Sequence, residues 1–233
     1  MSQTQFVLSI DPGVSTGIAL LSFEEDSPAE LVQGWQFTGG VAALKDWRKR
    51  HWRDAYRDSE WGYDFGPRFS PDPRRFWDLH TETLYEEQYN PDSDDYDLVE
   101  TEKKNLTVIC EKFTARATKG FSYTTASLEP LRGEGALIDR EIMPDYSVGE
   151  KRWRDPKHQY LVGGEDLPDK KKRMHNFLND VGMRRTNKDF PDSPTKDGAD
   201  DFRSACGHGI AYIARELKHK PTFDMISEWT EKN

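Results

Sequence analysis

The chain has 233 residues, and its 33 basic and 42 acidic side chains give a formal net charge of -9, a length that suits one domain or one domain with a large insertion. Apolar residues make up 35% and charged residues 32%, a polar balance that still leaves seven Trp, nine Tyr and twelve Phe to anchor a core. No apolar run approaches the roughly 20 residues of a membrane span, and Met1 to Gln5 lacks the basic region and apolar stretch of a secretory signal, so the expected setting is the cytoplasm, away from membranes.

Phe6 to Asp11 is a short apolar run ending in a carboxylate, and Pro12-Gly13 then turns the chain into Gly17 to Phe23, which predicts strand, tight turn, strand. A third strand is expected over Leu31 to Phe37, closed by Gly39-Gly40, with a helix over Val41 to Trp52. From about 53 to 105 the pattern loosens, with Pro67, Pro71, Pro73 and Pro91 among acidic and aromatic clusters. This reads as an acidic, aromatic insertion after the third strand, with one helix expected from Pro73 to about Tyr89. Leu106 to Glu111 repeats the opening theme as a fourth main strand that also ends on a carboxylate.

A helix is expected from about Thr125 to Ile142, although Pro130 and Gly133 fall in its first half. A strand at His158 to Val162 and a helix from Asp169 to Val181, stopped by Gly182, follow. The last expected helix runs from about Asp197 to Lys218, where Phe202, Cys206, Gly209, Ile213 and Leu217 recur at spacings of four, three, four and four. Alternating strands and helices after an opening hairpin predict an α/β domain: one mixed sheet flanked by helices.

The charge is unevenly spread. Residues 78 to 104 hold ten acids against Lys103 and Lys104, whereas residues 151 to 188 hold eleven bases against five acids. A polyanion can bind the second stretch despite the net charge. Cys110 and Cys206 lie far apart with no Cys-x-x-Cys spacing, which disfavours both a disulfide framework and structural zinc and leaves two small buried residues.

Three acidic positions stand apart: Asp11 and Glu111 at strand ends, and Asp197, Asp200 and Asp201 at a helix start. If the two strands are neighbours, a spacing of roughly 5 Å puts Asp11 beside Glu111. Carboxylates so close repel unless a cation neutralises them, and oxygen ligands without His or Cys favour Mg²⁺ or Mn²⁺ over zinc. Asp197 shares a helix face with either Asp200 or Asp201, so either pair can add ligands; helix capping is the plainer role for acids there. The spacing leaves open which pair serves.

Ile10-Asp11-Pro12-Gly13-Val14-Ser15-Thr16-Gly17-Ile18-Ala19 resembles the opening of the RuvC family of Holliday-junction resolvases, in the RNase H-like nuclease superfamily. Glu111 at a strand end looks like that family's second acid. Asp197-Gly198-Ala199-Asp200 looks like its closing Asp-x-x-Asp, followed by a helix with small residues and His208. The resemblance implies an RNase H-like fold and a homodimeric endonuclease for branched DNA, chiefly four-way junctions with flaps and splayed arms as further substrates. It implies two Mg²⁺ or Mn²⁺ ions held by Asp11, Glu111, Asp197 and Asp200, and, in a phage-type member, action in the host cytoplasm. The insertion at 53–105 has no counterpart in that pattern.

Lys112, Arg116, Lys119, Phe121 and Tyr123 follow the second acid and have the chemistry to contact phosphate and stack on an unpaired base; a solvated loop is the alternative. Lys170, Lys171, Lys172 and Arg173 open a helix, the wrong end for cations by the dipole argument, so a phosphate partner gives them a role beyond solubility. Arg48 to Arg53 forms a further basic-aromatic patch, suited to DNA arms or to a plain helix surface. Rival readings are another RNase H-like nuclease (terminase-type, or cutting RNA–DNA hybrids), an actin-like ATPase and a non-catalytic DNA-binding protein. No P-loop pattern, second phosphate loop or nucleotide-clamping glycine motif accompanies the first strand.

Overall fold

The computed structural model describes residues 4–51, 75–78, 83–92, 95–103, 106–111, 125–138, 153–154, 161–162, 170–190 and 199–233. In chain order the strands are β1 (Gln5–Asp11), β2 (Ser15–Glu24), β3 (Ser27–Thr38), β4 (Arg75–Asp78), β5 (Thr83–Asn90), β6 (Asp95–Lys103), β7 (Leu106–Glu111) and β8 (Trp153–Arg154). The helices are α1 (Gly40–His51), α2 (Thr125–Ile138), α3 (Lys170–Asp180), α4 (Asp200–Ala211) and α5 (Lys220–Lys232). Five strands form one mixed sheet in the order β3-β2-β1-β7-β8, antiparallel among β1, β2 and β3 and parallel from β1 through β7 to β8. Strands β4, β5 and β6 form a separate antiparallel sheet.

The apolar run of β1 is central because it must be covered on both faces, and its alternation sorts two cores. Val7, Ala19, Leu21, Phe23 and Ile109 pack with Phe177 and Leu178 of α3, Phe202, Cys206 and Ile210 of α4 and Ile226 of α5. Leu8, Ile10, Ile18, Leu20, Val108 and Cys110 point the other way, onto Leu44 and Trp47 of α1 and Leu137 of α2. The α/β expectation therefore holds, with helices on both faces of a mixed sheet. Among the described residues, no helix is long and apolar enough to cross a membrane.

Local chemistry sets the element ends. Gly182, at φ +79°, follows α3 as a left-handed stop. Helix α4 widens into a π turn over Tyr212–Glu216, with the Leu217 N–H donating to the Tyr212 carbonyl at 3.1 Å. The chain leaves that turn through Lys218 at φ +54°, where the His219 N–H donates to the Ile213 carbonyl at 3.1 Å.

Several expected elements need correction. The segment from Pro73 to Tyr89 contains strands β4 and β5 where one helix was expected. Tyr85 and Tyr89 are four apart, a spacing that fits one face of either element, and Tyr89 registers opposite Tyr96 on β6. The hairpin turn after β5 is built by Asn90, whose side-chain oxygen accepts the Asp92 N–H at 2.9 Å. Leu161 and Val162 are buried in a turn and not in a strand; the sheet's outer strand is instead Trp153–Arg154. The helix expected from Asp197 to Lys218 is α4 plus the π turn, which rotates Leu217 out of the apolar stripe to 39% exposure. Asp197 itself, the end of the α2 segment at 139–142 and residues 158–160 lie outside the described residues.

Candidate active site

One row of residues runs across the end of the sheet. Asp11 registers with Gly17 on β2, and Gly17 with Gln36 on β3. On the other side Ile10 registers with Cys110, so the next step along the parallel pair sets Asp11 beside Glu111. Glu111 in turn registers with Arg154 of β8. The conditional expectation about neighbouring strands is met by parallel pairing of β1 with β7.

The Asp-Pro-Gly-x-x-x-Thr-Gly segment has a local reason at each step. Pro12 is buried against Gly133 of α2, where a β-carbon would come within 2.7 Å of the proline ring. The Thr16 hydroxyl donates to the Gly13 carbonyl at 3.3 Å and accepts from the Gly13 N–H at 3.4 Å, closing the turn on itself. The Gly39 and Gly40 N–H groups both donate to the Val14 carbonyl, at 2.9 and 3.1 Å, and tie that turn to the start of α1. Gly17 has no space for a side chain because the backbone of Asp201 and Phe202 lies directly on it.

Helix α4 reaches the row through small residues. Gly34 receives the Phe202 ring, and Gly209 lies against Ser9 and Leu21. The residue before α4 is Ala199, which offers no side-chain cap. The Gln36 side-chain carbonyl on β3 accepts the Phe202 N–H instead, at 2.9 Å, across 166 positions of sequence. This fixes the first turn of α4, with Asp200 and Asp201, at the acid end of the sheet.

The electrostatics follow from this crowding. Asp11 is packed round by protein with part of its surface open, and burial first, then a hydrogen bond and the charge of Glu111, then the charge of Asp201, push its carboxyl well above the usual range. A hydrogen bond from Ser204 opposes that rise. Burial also raises the Cys110 thiol, with further contributions from Glu134 of α2, Asp11 and Glu111. Cys206 is likewise raised by burial, and both thiols are free and buried, as expected from their spacing. His208 is 1% exposed, and its Nε2 stands 3.5 Å from the Glu111 carboxylate.

The acids of α4 divide. Asp201 is the one whose charge bears on Asp11, while Asp200 is half-exposed and ion-paired with Arg203 one turn along. His175 of α3 is lowered by partial burial and by the cations of Arg203 and Arg184, and raised by Asp200, so basic groups gather beside that acid. Among the described residues, no three acid, imidazole or thiol groups close round a single point as a finished metal site. The donor set at the row is nevertheless all carboxylate oxygen apart from His208, and its mutual repulsion is what a divalent cation relieves.

Of the other expected contacts, Lys112, Arg116, Lys119, Phe121 and Tyr123 lie outside the described residues, and Lys170 and Lys171 are placed only as the first residues of α3. Lys172 is exposed. Arg173 serves the fold: it donates to the Val162 carbonyl and to that of Asn233, both at 3.1 Å, and lies 5.6 Å from the Trp229 ring centre. Gln36, Ser204 and Asp201 were not singled out by the motif itself. The signal for Ser204 was its spacing, three residues beyond Asp201 on the same helix face. No family model and no curated protein sequence matches the chain.

Proposed function

We propose that this chain is a RuvC-like, metal-dependent endonuclease that cuts phosphodiester bonds in four-way junctions and other branched DNA. The observation that carries this is the convergence of Asp11, Glu111 and Asp201: three carboxylates from two adjacent strands and the helix above them. The mixed sheet, three antiparallel strands continued by parallel ones with helices on both faces, is compatible with the α/β fold that the resemblance of residues 10–19 implies. The cations of Arg203 and Arg184 and the His175 ring beside Asp200 are suited to an approaching phosphate.

Asp11 and Glu111 would hold the ions together with acids at the start of α4: Asp201, whose charge bears on Asp11, and Asp200 and Asp197 as the resemblance implies. Bound Mg²⁺ or Mn²⁺ supplies a water of lowered pKa and charge stabilisation at the cut phosphate. Asp11, set beside Glu111 by the pairing of β1 with β7, would be the central ligand. Ser204 orients the Asp11 carboxyl by hydrogen bonding to it, and His208 Nε2 stands 3.5 Å from the Glu111 carboxylate. A two-fold DNA junction suits an isologous homodimer of the chain.

Cleavage of a labelled four-way junction tests this beside flap, splayed-arm, linear duplex and RNA–DNA hybrid substrates, in Mg²⁺, Mn²⁺ or EDTA, with Asp11→Asn as control. Metal-dependent paired nicks that spare linear duplex are expected. Preferential cutting of the hybrid would move the reading to an RNA–DNA hybrid nuclease, and junction binding without any cutting would move it to a binding protein on this fold.

A further inference from the structure

We infer that Gln36 is a positioning residue for the acid site: by accepting the Phe202 N–H, its buried side-chain carbonyl sets the start of α4 and so the placement of Asp201 and Ser204 over Asp11. The catalytic consequence rests on the nuclease reading above; the structural one does not. A helix start leaves its first N–H groups without helical partners, and the residue before the helix ordinarily supplies an oxygen to the second or third of them. Ala199 cannot. Phe202 is the third residue of α4, and its N–H is taken by Gln36 at 2.9 Å.

Gln36 is 3% exposed within a strand that packs against an apolar core. Burying an amide there is unfavourable unless it is hydrogen-bonded, and an apolar side chain would fill the space at no such cost. Its position explains the choice. Gln36 lies in the same cross-sheet row as Asp11, with only Gly17 between them, and Gly17 is the point where the α4 backbone rests on the sheet. The acceptor that holds the helix start and the carboxylate that the helix acids must meet are thus fixed by one register. A slip of α4 by a fraction of a turn changes how Asp201 and Ser204 meet Asp11.

The test compares Gln36→Met, of similar length without the acceptor, with Gln36→Glu, which keeps one. Hydrogen exchange over 200–204, Mn²⁺ binding by calorimetry and junction cleavage are read on each full-length protein. Gln36→Met is expected to exchange faster at the start of α4 and to lose roughly 10- to 100-fold in Mn²⁺ affinity and in kcat, with junction Kd unchanged. Gln36→Glu is expected to restore both protection and cleavage. A folded Gln36→Met protein with wild-type exchange and Mn²⁺ affinity overturns the assignment. If the wild-type chain cuts no DNA, the nuclease reading fails, and the exchange difference between the two variants still decides whether Gln36 sets α4. Should Gln36→Met not fold, Gln36→Asn, one methylene shorter, carries the same comparison.

Discussion

Gly17 and Asp201 meet backbone to backbone: a β-carbon on Gly17 would overlap the Asp201 carbonyl group. Gly17 is also the cross-strand partner of Asp11, so the approach of helix to sheet at this point governs how close the α4 acids come to the β1 carboxylate. Gly17→Ala forces α4 to lift or the strand to shift, and overpacking of this kind costs about 1–3 kcal/mol. Urea unfolding should register that loss. Cleavage should fall further than the folded fraction does, and a variant with wild-type stability and activity would contradict the contact.

The carboxyl crowding has a pH signature. Asp11 is held well above its ordinary value by burial, by Glu111 and by Asp201, whereas in the unfolded chain it returns to about 3.9. The folded protein therefore binds that proton more tightly, so the group favours folding below about pH 4 and its contribution is lost as pH rises through the raised value. In EDTA the wild-type protein is expected to lose stability as pH leaves the acid range. Asp11→Asn should remove that part of the slope, and Mg²⁺ should oppose it. Urea midpoints measured across the range check this; parallel pH profiles for the two proteins would rule out the crowding.

The fold was legible where a short apolar run ended in a turn or a carboxylate. Phe6 to Asp11 and Leu106 to Glu111 announced themselves as covered strands, and their pairing followed once they were adjacent. The helix expected from Pro73 to about Tyr89 gave way to β4 and β5, where residues four apart such as Tyr85 and Tyr89 share a face as they would on a helix. Helix α5 lies beyond the last expected helix and went unread, although Pro221 near its start and Ile226 and Trp229, three apart, fit a helix. Gln36 was illegible for a different reason: its role exists only because β3 and α4, 166 positions apart, meet at one hydrogen bond. The same holds for which α4 acid bears on Asp11, which depends on how α4 is seated and not on spacing.

Thr222 separates folding from function. It is fully buried at the start of α5, and its hydroxyl oxygen accepts the Ala29 N–H from β3 at 2.8 Å, with His219 Nδ1 2.9 Å from the same oxygen. Thr222→Val keeps the shape and removes the acceptor, leaving a buried N–H unsatisfied at a cost of about 1–3 kcal/mol. The unfolding midpoint should drop accordingly. Because α5 packs on β3 away from the acid row, junction cleavage by the folded variant should match wild type. A selective loss of cleavage would place α5 in the site after all.

The two adjacent acids of α4 give the sharpest functional contrast. Asp201 bears on Asp11, whereas Asp200 is half-exposed and held by Arg203. Asp200 keeps nearly half of its side chain open to water, which screens its pair with Arg203, so Asp200→Asn should change stability less than a buried substitution such as Thr222→Val. If Asp201 is the α4 ligand, Asp201→Asn should weaken Mn²⁺ binding by at least the roughly 10- to 100-fold that loss of an outer-shell partner costs, and should lower the raised Asp11 value by removing a neighbouring negative charge. Calorimetry with Mn²⁺ and the pH profile of unfolding read the two effects independently. Strong loss of metal in Asp200→Asn, with Asp201→Asn near wild type, would instead mean that Asp200 leaves Arg203 when the ions bind, and that the Asp-x-x-Asp pair from the resemblance is the working one.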